Sequence, residues 1–226
     1  MTLKIAIDGP AGSGKTTTAK LVAKRLGILP VDTGAMYRAV SYECLRRNID
    51  VHDEKSVERI ADSINIDQKA IHGEIHTYLN GEDVSDKIRT PEVDKVVSIV
   101  SSYKKVRDKL VEIQRKLANT QDVVIEGRDI GTIVLKDADI KIFMKASLKE
   151  RAKRRFNELR AKGVNVNFED VLRELKKRDE MDSKRELAPL KIPEGAIIID
   201  TTNKTIEEQV EEIIKIIKEV KNKIHT

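Results

Sequence analysis

The stretch "GPAGSGKTTT", residues 9–18, lies between a short apolar run and a charged run with helical spacing. Gly9, Gly14, Lys15 and Thr16 stand at the spacing G-x-x-x-x-G-K-[ST], which carries meaning only when a strand precedes it and a helix follows. Both flanks are present. "LKIAID", residues 3–8, has the pattern of a buried strand that ends at the loop, and "KTTTAKLVAKRLG", residues 15–27, puts Ala19, Val22, Ala23 and Leu26 on one helical face with Gly27 as its stop. A strand that turns into a helix through glycines leaves backbone N–H groups pointing into the turn, and the positive end of the helix dipole adds to them. Residues Gly9, Pro10, Ala11, Gly12, Ser13, Gly14, Lys15, Thr16 and Thr17 are therefore expected to hold a nucleoside triphosphate. Lys15, on a loop expected to be exposed, would reach the β- and γ-phosphates, and Thr16 would offer its hydroxyl to Mg²⁺.

Outward from this loop, apolar strand candidates recur at 28–32 ("ILPVD"), 122–127 ("DVVIEG"), 140–144 ("IKIFM") and 196–200 ("AIIID"), with helical pattern between them. Strands that alternate with helices predict a parallel sheet covered on both faces. The last helix is marked by Thr205 and Glu208, a capping box, followed by one stripe of Ile206, Val210, Ile213, Ile214, Ile217, Val220 and Ile224. That stripe predicts packing on the sheet and no catalytic role.

Composition narrows the class. The 226 residues suffice for one α/β core with small inserts. Charged residues make up 36%, aromatics 3% with no Trp, and the net charge is +5. Such a balance allows nucleic acid as a partner and equally suits an enzyme of polyanionic substrates, though few aromatics leave few stacking platforms for nucleic acid. The lone Cys44 excludes an intrachain disulfide and fits a buried small hydrophobe. The first predicted strand begins at Leu3, leaving no room for a signal peptide, and no apolar run approaches membrane-spanning length. A cytoplasmic, monomeric protein acting on small molecules, without nucleic acid or membrane partners, is expected.

Two stretches break the alternation. Residues 64–89 ("INIDQKAIHGEIHTYLNGEDVSDKIR") alternate like strands and contain Asn80-Gly81, a strong hairpin signal, which predicts a small antiparallel insert. His72 and His76 lie in it four apart; along a strand that spacing spans about 13 Å, too far for one metal ion, so solvated strand positions are expected. Residues 147–187 are predicted to form two charged helices joined by a loop containing Gly163. Arg151, Arg154, Arg155, Arg178 and Arg185 crowd the ends of this pair. With few apolar residues it should bury little surface of its own and move as a lid over phosphates.

"DTGAMYRAV", residues 32–40, places Arg38 at the start of a helix near a strand's carboxyl edge, where α/β proteins bind ligands. At this point the chain resembles bacterial cytidylate kinases, the long form of the P-loop nucleoside monophosphate kinases. The resemblance rests on "IDGPAGSGKTT", "DTGAMYR", "LNGEDVSDKIRTPEV", "EGRDIGT", "IKIFMKAS" and "KKRDEMDSKRELAPL", in order and across nearly the entire chain. It implies an α/β P-loop NTPase fold: a five-stranded parallel sheet flanked by helices, a small antiparallel β insert and a helical lid. The core would comprise 1–62, 90–150 and 186–226, the insert 63–89 and the lid 151–185.

The resemblance also implies roles. The acceptor monophosphate would be held by Arg38 and Arg128, with Thr33 and Tyr37 from the first element. Cytosine would be read by Ser98, Arg107 and Asp129; Arg178, Asp182 and Arg185 would serve sugar, base and phosphates. Catalytic charge would come from Lys15, Arg128, Arg178 and Arg185. Arg154 would contact ATP, with Arg151 and Arg155 as further candidates. Glu126 stands where many relatives would have Asp and receives no metal role. The implied reaction moves the γ-phosphate of ATP to CMP or dCMP with Mg²⁺. The acceptor phosphate is already mostly dianionic at neutral pH, its second pKa being about 6, so no strong base is needed. A switch GTPase is disfavoured because "NKTI", residues 203–206, lacks the aspartate of an N-K-x-D guanine reader. A nucleic-acid-dependent ATPase, or a P-loop kinase of UMP or a hydroxylated metabolite, remains as the alternative.

Overall fold

The computed structural model describes residues 2–224. β1 (Lys4–Asp8) leads through the glycine loop into α1 (Lys15–Leu26), followed by β2 (Leu29–Asp32) and α2 (Thr33–Arg46). α3 (Glu54–Ser63) precedes three short strands, β3 (Ile66–Ile71), β4 (Glu74–Leu79) and β5 (Glu82–Asp83). α4 (Pro91–Val100) and α5 (Lys104–Thr120) return the chain to β6 (Val123–Gly127). A wide π-type turn, Ile130–Val134, separates β6 from β7 (Ile140–Lys145). α6 (Leu148–Ala161) and α7 (Phe168–Lys184) then pair, before β8 (Ile197–Asp200) and α8 (Ile206–Ile224).

The main sheet is parallel throughout, in the order β2-β6-β1-β7-β8. Side chains alternate across it, and each face has its own core. Ile5, Ile7, Val124, Ile142 and Met144 meet α1 and α8 on one side; Ala6, Val31, Val123 and Ile125 meet α2, α3 and α5 on the other. The predicted stripe of α8 is buried at Val210, Ile213, Ile214 and Ile217 and half-buried at Ile206 and Val220; the side chain of Ile224 lies outside the described residues. Its capping box forms as read: Glu208 N–H donates to Thr205 Oγ1 at 3.2 Å, and Thr205 N–H to Glu208 Oε2 at 2.7 Å. Cys44 is fully buried, and that burial pushes its thiol up to about 11, which makes it an inert core residue.

β3, β4 and β5 form the antiparallel insert. Asn80 (φ 51°) and Gly81 (φ 84°) make the β4–β5 turn. A second such turn, His72 (φ 52°) and Gly73 (φ 83°), joins β3 to β4, so His72 is a turn residue and not a strand residue. His76 is on β4, its Nδ1 2.6 Å from Asp83 Oδ2. Ile66, Leu79, Val84 and Ile88 join the main core, which seats the insert against the sheet's β2 side.

The paired helices α6 and α7 bury more than their composition suggests. Ala152, Val171 and Leu175 form a small separate core with Phe156, Leu159 and Phe168 around it. Phe156 and Phe168 meet edge to face at 6.0 Å. The apolar residues are few, but they fall on the facing sides.

Candidate active site

The glycine loop owes its shape to close backbone contacts. A Cβ at Gly9 (φ 150°) would lie 2.1 Å from the carbonyl oxygen of Met144 on β7, so the loop can leave β1 against β7 only without a side chain there. Gly14 (φ 95°) ends the loop in left-handed geometry, and α1 starts with no side-chain cap, its first N–H groups open to a ligand. Pro10 C=O accepts from Ser13 Oγ at 3.0 Å and from Lys15 Nζ at 2.8 Å. Lys15 is therefore 4% exposed, not displayed on an open loop. Burial first, and the Arg128 guanidinium second, hold its ammonium below the usual lysine range. Across from it, burial and the neighbouring Asp32 push the Glu126 carboxyl upward. Thr16 Oγ1 donates to Glu126 Oε1 at 2.6 Å, which leaves the hydroxyl lone pairs free.

A second group of charges gathers beyond the carboxyl ends of β2 and β6. The first turn of α2 is capped by Asp32, which accepts from Ala35 N–H at 2.8 Å, and brings in Thr33, Tyr37 and Arg38. Residues 128–131 are held down by Asp8 at the end of β1, whose two oxygens accept from Ile130 N–H at 2.7 Å and Gly131 N–H at 2.8 Å. Burial raises the Asp8 carboxyl to about 6 in spite of those two bonds. From this turn Arg128 donates through Nε to Asp182 Oδ2 at 2.8 Å, while Asp129 accepts from Arg107. Arg107 also donates to Ser101 C=O at 3.0 Å, and its guanidinium lies 5.4 Å above the Tyr37 ring. Arg185 sits 3.5 Å from Asp129 in ionic contact without a hydrogen bond. Arg178 Nε and Arg185 Nη2 are buried with no hydrogen-bond partner. Arg185 Nη2 is the atom in ionic contact with Asp129 Oδ1, so its charge is partnered although it makes no hydrogen bond.

The lid arginines divide. Arg151 turns away from the cavity and ties the lid to the loop, donating to Ala11 C=O at 3.0 Å and bidentately to Asp179 at 3.1 and 2.6 Å. Arg154 and Arg155 face the cavity, the first held by Glu150 and Thr201, the second by Asp94 and Glu158.

One cavity of about 650 Å³ joins the two ends, and eight arginines line it. Ala11, Gly12, Gly14, Lys15, Thr16 and Thr17 line it from the loop, whereas Gly9, Pro10 and Ser13 shape the loop from behind. Thr33, Tyr37, Arg38, Ser98, Arg107, Arg128, Asp129, Arg154, Arg178, Asp182 and Arg185 all reach it. Lining residues to which the sequence assigned no binding role include Asp32, Arg89, Glu126, Lys204, Thr205, Ile206 and Gln209. Arg89 donates to Asp32 Oδ2 at 2.8 Å, and Gln209 Oε1 accepts from Thr18 Oγ1 at 2.9 Å beside Gly14. Arg89 had a signal, its place in "KIRTPEV" just before a helix. The start of α8 had none, because its apolar stripe concealed a second use for its first turn. Among the described residues no three His, Cys, Asp or Glu side chains gather as a metal-holding group, and no helix is long and apolar enough to cross a membrane.

A solved structure of an uncharacterized protein from Eubacterium ventriosum aligns with a TM-score of 0.53 at 16% identity, over 97% of this chain and 99% of the other, which shows a shared fold. A cytidylate kinase of Caldanaerobacter subterraneus subsp. tengcongensis is 52% identical over 96% of both chains. One from Clostridioides difficile is 50% identical over 94% of this chain and 96% of its own. The family model described as cytidylate kinase matches residues 5–219, so the glycine loop, the arginine-lined cavity and the paired charged helices all fall within it, and this chain belongs to the cytidylate kinase family.

Proposed function

We propose that this chain transfers the γ-phosphoryl group of ATP to CMP or dCMP, giving ADP and the corresponding diphosphate, and that it works as a cytoplasmic monomer. The observation that carries the reading is a cavity with an N–H-rich phosphate loop at one end and an arginine cluster at the other. That is the geometry two polyanions need to meet end to end. The arginines are the acceptor's counter-charge: Arg38 and Arg128 for its phosphate, Arg178 and Arg185 between acceptor and donor. Lys15, freed from Pro10 C=O, follows the β- and γ-phosphates. The ammonium is already dehydrated by burial, so exchanging a carbonyl for a phosphate gains charge neutralisation at little further desolvation cost.

Thr16 fits Mg²⁺. Its hydroxyl is fixed by Glu126 and it stands where the loop meets α1, so one protein oxygen plus phosphates and water would satisfy a small hard cation. When bound, the ion supplies neutralisation of phosphate charge. Residues 151–185 act as a lid that excludes water, and 63–89 form the insert that backs the acceptor side, with 1–62, 90–150 and 186–226 as core.

The test is ADP release with CMP, dCMP, UMP, AMP and shikimate offered in parallel. CMP or dCMP should be the best acceptor. Shikimate turnover would move the acceptor class, and stimulation by RNA or DNA would favour an ATPase.

A further inference from the structure

Asp94 is a carboxylate on which three elements of the cavity wall converge. It lies in the first turn of α4, where an acid suits the helix dipole, but its neighbour Glu92 meets that need while remaining exposed. Asp94 does more. Arg38 from α2 donates to its Oδ1, Arg155 from α6 donates to its Oδ2 at 2.5 Å, and Arg178 from α7 approaches Oδ1 at 3.6 Å. All three arginines line the cavity, and Asp94 does not. Its side chain is 20% exposed, behind the wall that its partners form. Three guanidiniums packed this closely repel one another; Glu158 meets Arg155 and Asp182 lies by Arg178, but Asp94 is the carboxylate that touches all three, and it offsets their repulsion without occupying the space in front.

We propose that Asp94 is a positioning residue for the acceptor phosphate: it gathers Arg38, Arg155 and Arg178 into one anion-binding wall and thereby fastens both lid helices to α4. The inference rests on the acceptor site proposed above. It has a geometric corollary, because Ser98 lies four residues further along α4 and shares that helical face. The helix that Asp94 fastens to the lid is the one that carries the proposed contact to the base, so lid closure and base reading are mechanically joined through α4. Asp94 touches neither substrate. It acts through its arginines.

The experiment compares wild type, Asp94→Asn, which keeps shape and removes charge, and Asp94→Glu, which restores a carboxylate. In steady-state kinetics Asp94→Asn should raise the KM for CMP by about tenfold, the scale of one charge-assisted hydrogen bond to the acceptor phosphate, with the KM for ATP within about twofold. Asp94→Glu should recover most of that loss. In the ligand-free protein, amide exchange of 148–184 should quicken in Asp94→Asn while β1 and α1 keep wild-type protection. Unchanged CMP KM together with unchanged lid exchange overturns the proposal. So does a Glu variant as impaired as the Asn variant, or faster exchange in β1 and α1 to the same degree, which would mark a merely structural acid. If wild-type protein fails to phosphorylate CMP, the acceptor reading falls, and the exchange comparison still decides for or against Asp94 alone.

Discussion

The two ends of the cavity are built on different principles. The phosphate loop is seated on backbone and apolar packing: Ile5, Ile7, Val22 and Ala23 are fully buried in the β1 and α1 that flank it, and the Gly9 backbone runs so close to the Met144 carbonyl that no Cβ would fit. The acceptor and lid side is held by ion pairs between elements distant in sequence, Arg128 with Asp182, Arg107 with Asp129, Arg155 with Asp94. The first end is seated on a densely packed apolar core, so its backbone is expected to change little when ligand arrives. The second is a set of charges that need counter-charges, so its arrangement depends on what anions are present. The difference assigns tasks. On the function proposed above, one end would keep the donor phosphates in a fixed place, and the other would reorganise around the acceptor.

Substitutions that remove one cation from each end separate these roles, and the largest effect is expected at the phosphate-loop end. Lys15→Ala should reduce kcat on the order of 10³-fold, since it removes preorganised charge from the transferring group. It should not lower the melting temperature, because a buried ammonium held by one carbonyl contributes little to folding. Turnover at the wild-type rate would break the phosphate-loop assignment, and a large stability loss would mean that the loop leans on Lys15 for its shape.

At the other end the losses should be smaller and fall on the acceptor. Arg128→Ala and Arg38→Ala each remove a charge-assisted contact worth about 1.5–3 kcal/mol, roughly ten- to 150-fold in kcat/KM for CMP. Arg128 should be the more costly. Its removal takes the hydrogen-bonded cation from the buried Asp182, whereas Asp94 keeps Arg155 and Arg178 when Arg38 is replaced. Initial rates over a CMP series at saturating ATP decide this; wild-type acceptor kinetics in both variants would put the acceptor elsewhere.

The same contrast explains what the sequence could tell. The loop, the flanking β1 and α1, the capping box at Thr205 and the Asn80-Gly81 turn were legible because each is fixed by residues within a few positions of one another. The arginines were legible as a crowd, but their partners were not. Asp94, Asp8 and Arg89 are 61, 122 and 57 residues away from Arg155, Ile130 and Asp32, and no local pattern marks such pairs. The His72-Gly73 turn was missed because His-Gly is not one of the strong hairpin pairs such as Asn-Gly or Asp-Gly, although histidine enters the left-handed region more readily than most residues. The small core of α6 and α7 was missed because Ala152, Val171 and Leu175 are diluted among charges, and only the pairing of the helices brings them together.

The smallest expected effect concerns the base and tests the reorganising end at its finest grain. Cytosine presents an exocyclic amine where uracil has a carbonyl, and an acceptor at N3 where uracil has N–H. Asp129 can only accept; one of its oxygens takes Arg107, and lone pairs remain for the amine beside Ser98. Arg185, which makes no hydrogen bond through Nη2, can only donate, which suits N3 or O2 of cytosine. UMP would set acceptor against acceptor and donor against donor, at about 1–3 kcal/mol for each buried group left unpaired. CMP should therefore exceed UMP by at least roughly tenfold in kcat/KM. Asp129→Asn should narrow that ratio, because the amide can also donate to the uracil carbonyl. The substitution weakens the buried pair with Arg107, so some stability will be lost. The ratio is nevertheless a clean readout: both acceptors meet the same folded population, and any loss of folded enzyme cancels. A wild-type enzyme that uses UMP as well as CMP would refute the base-reading scheme and leave membership of the family untouched.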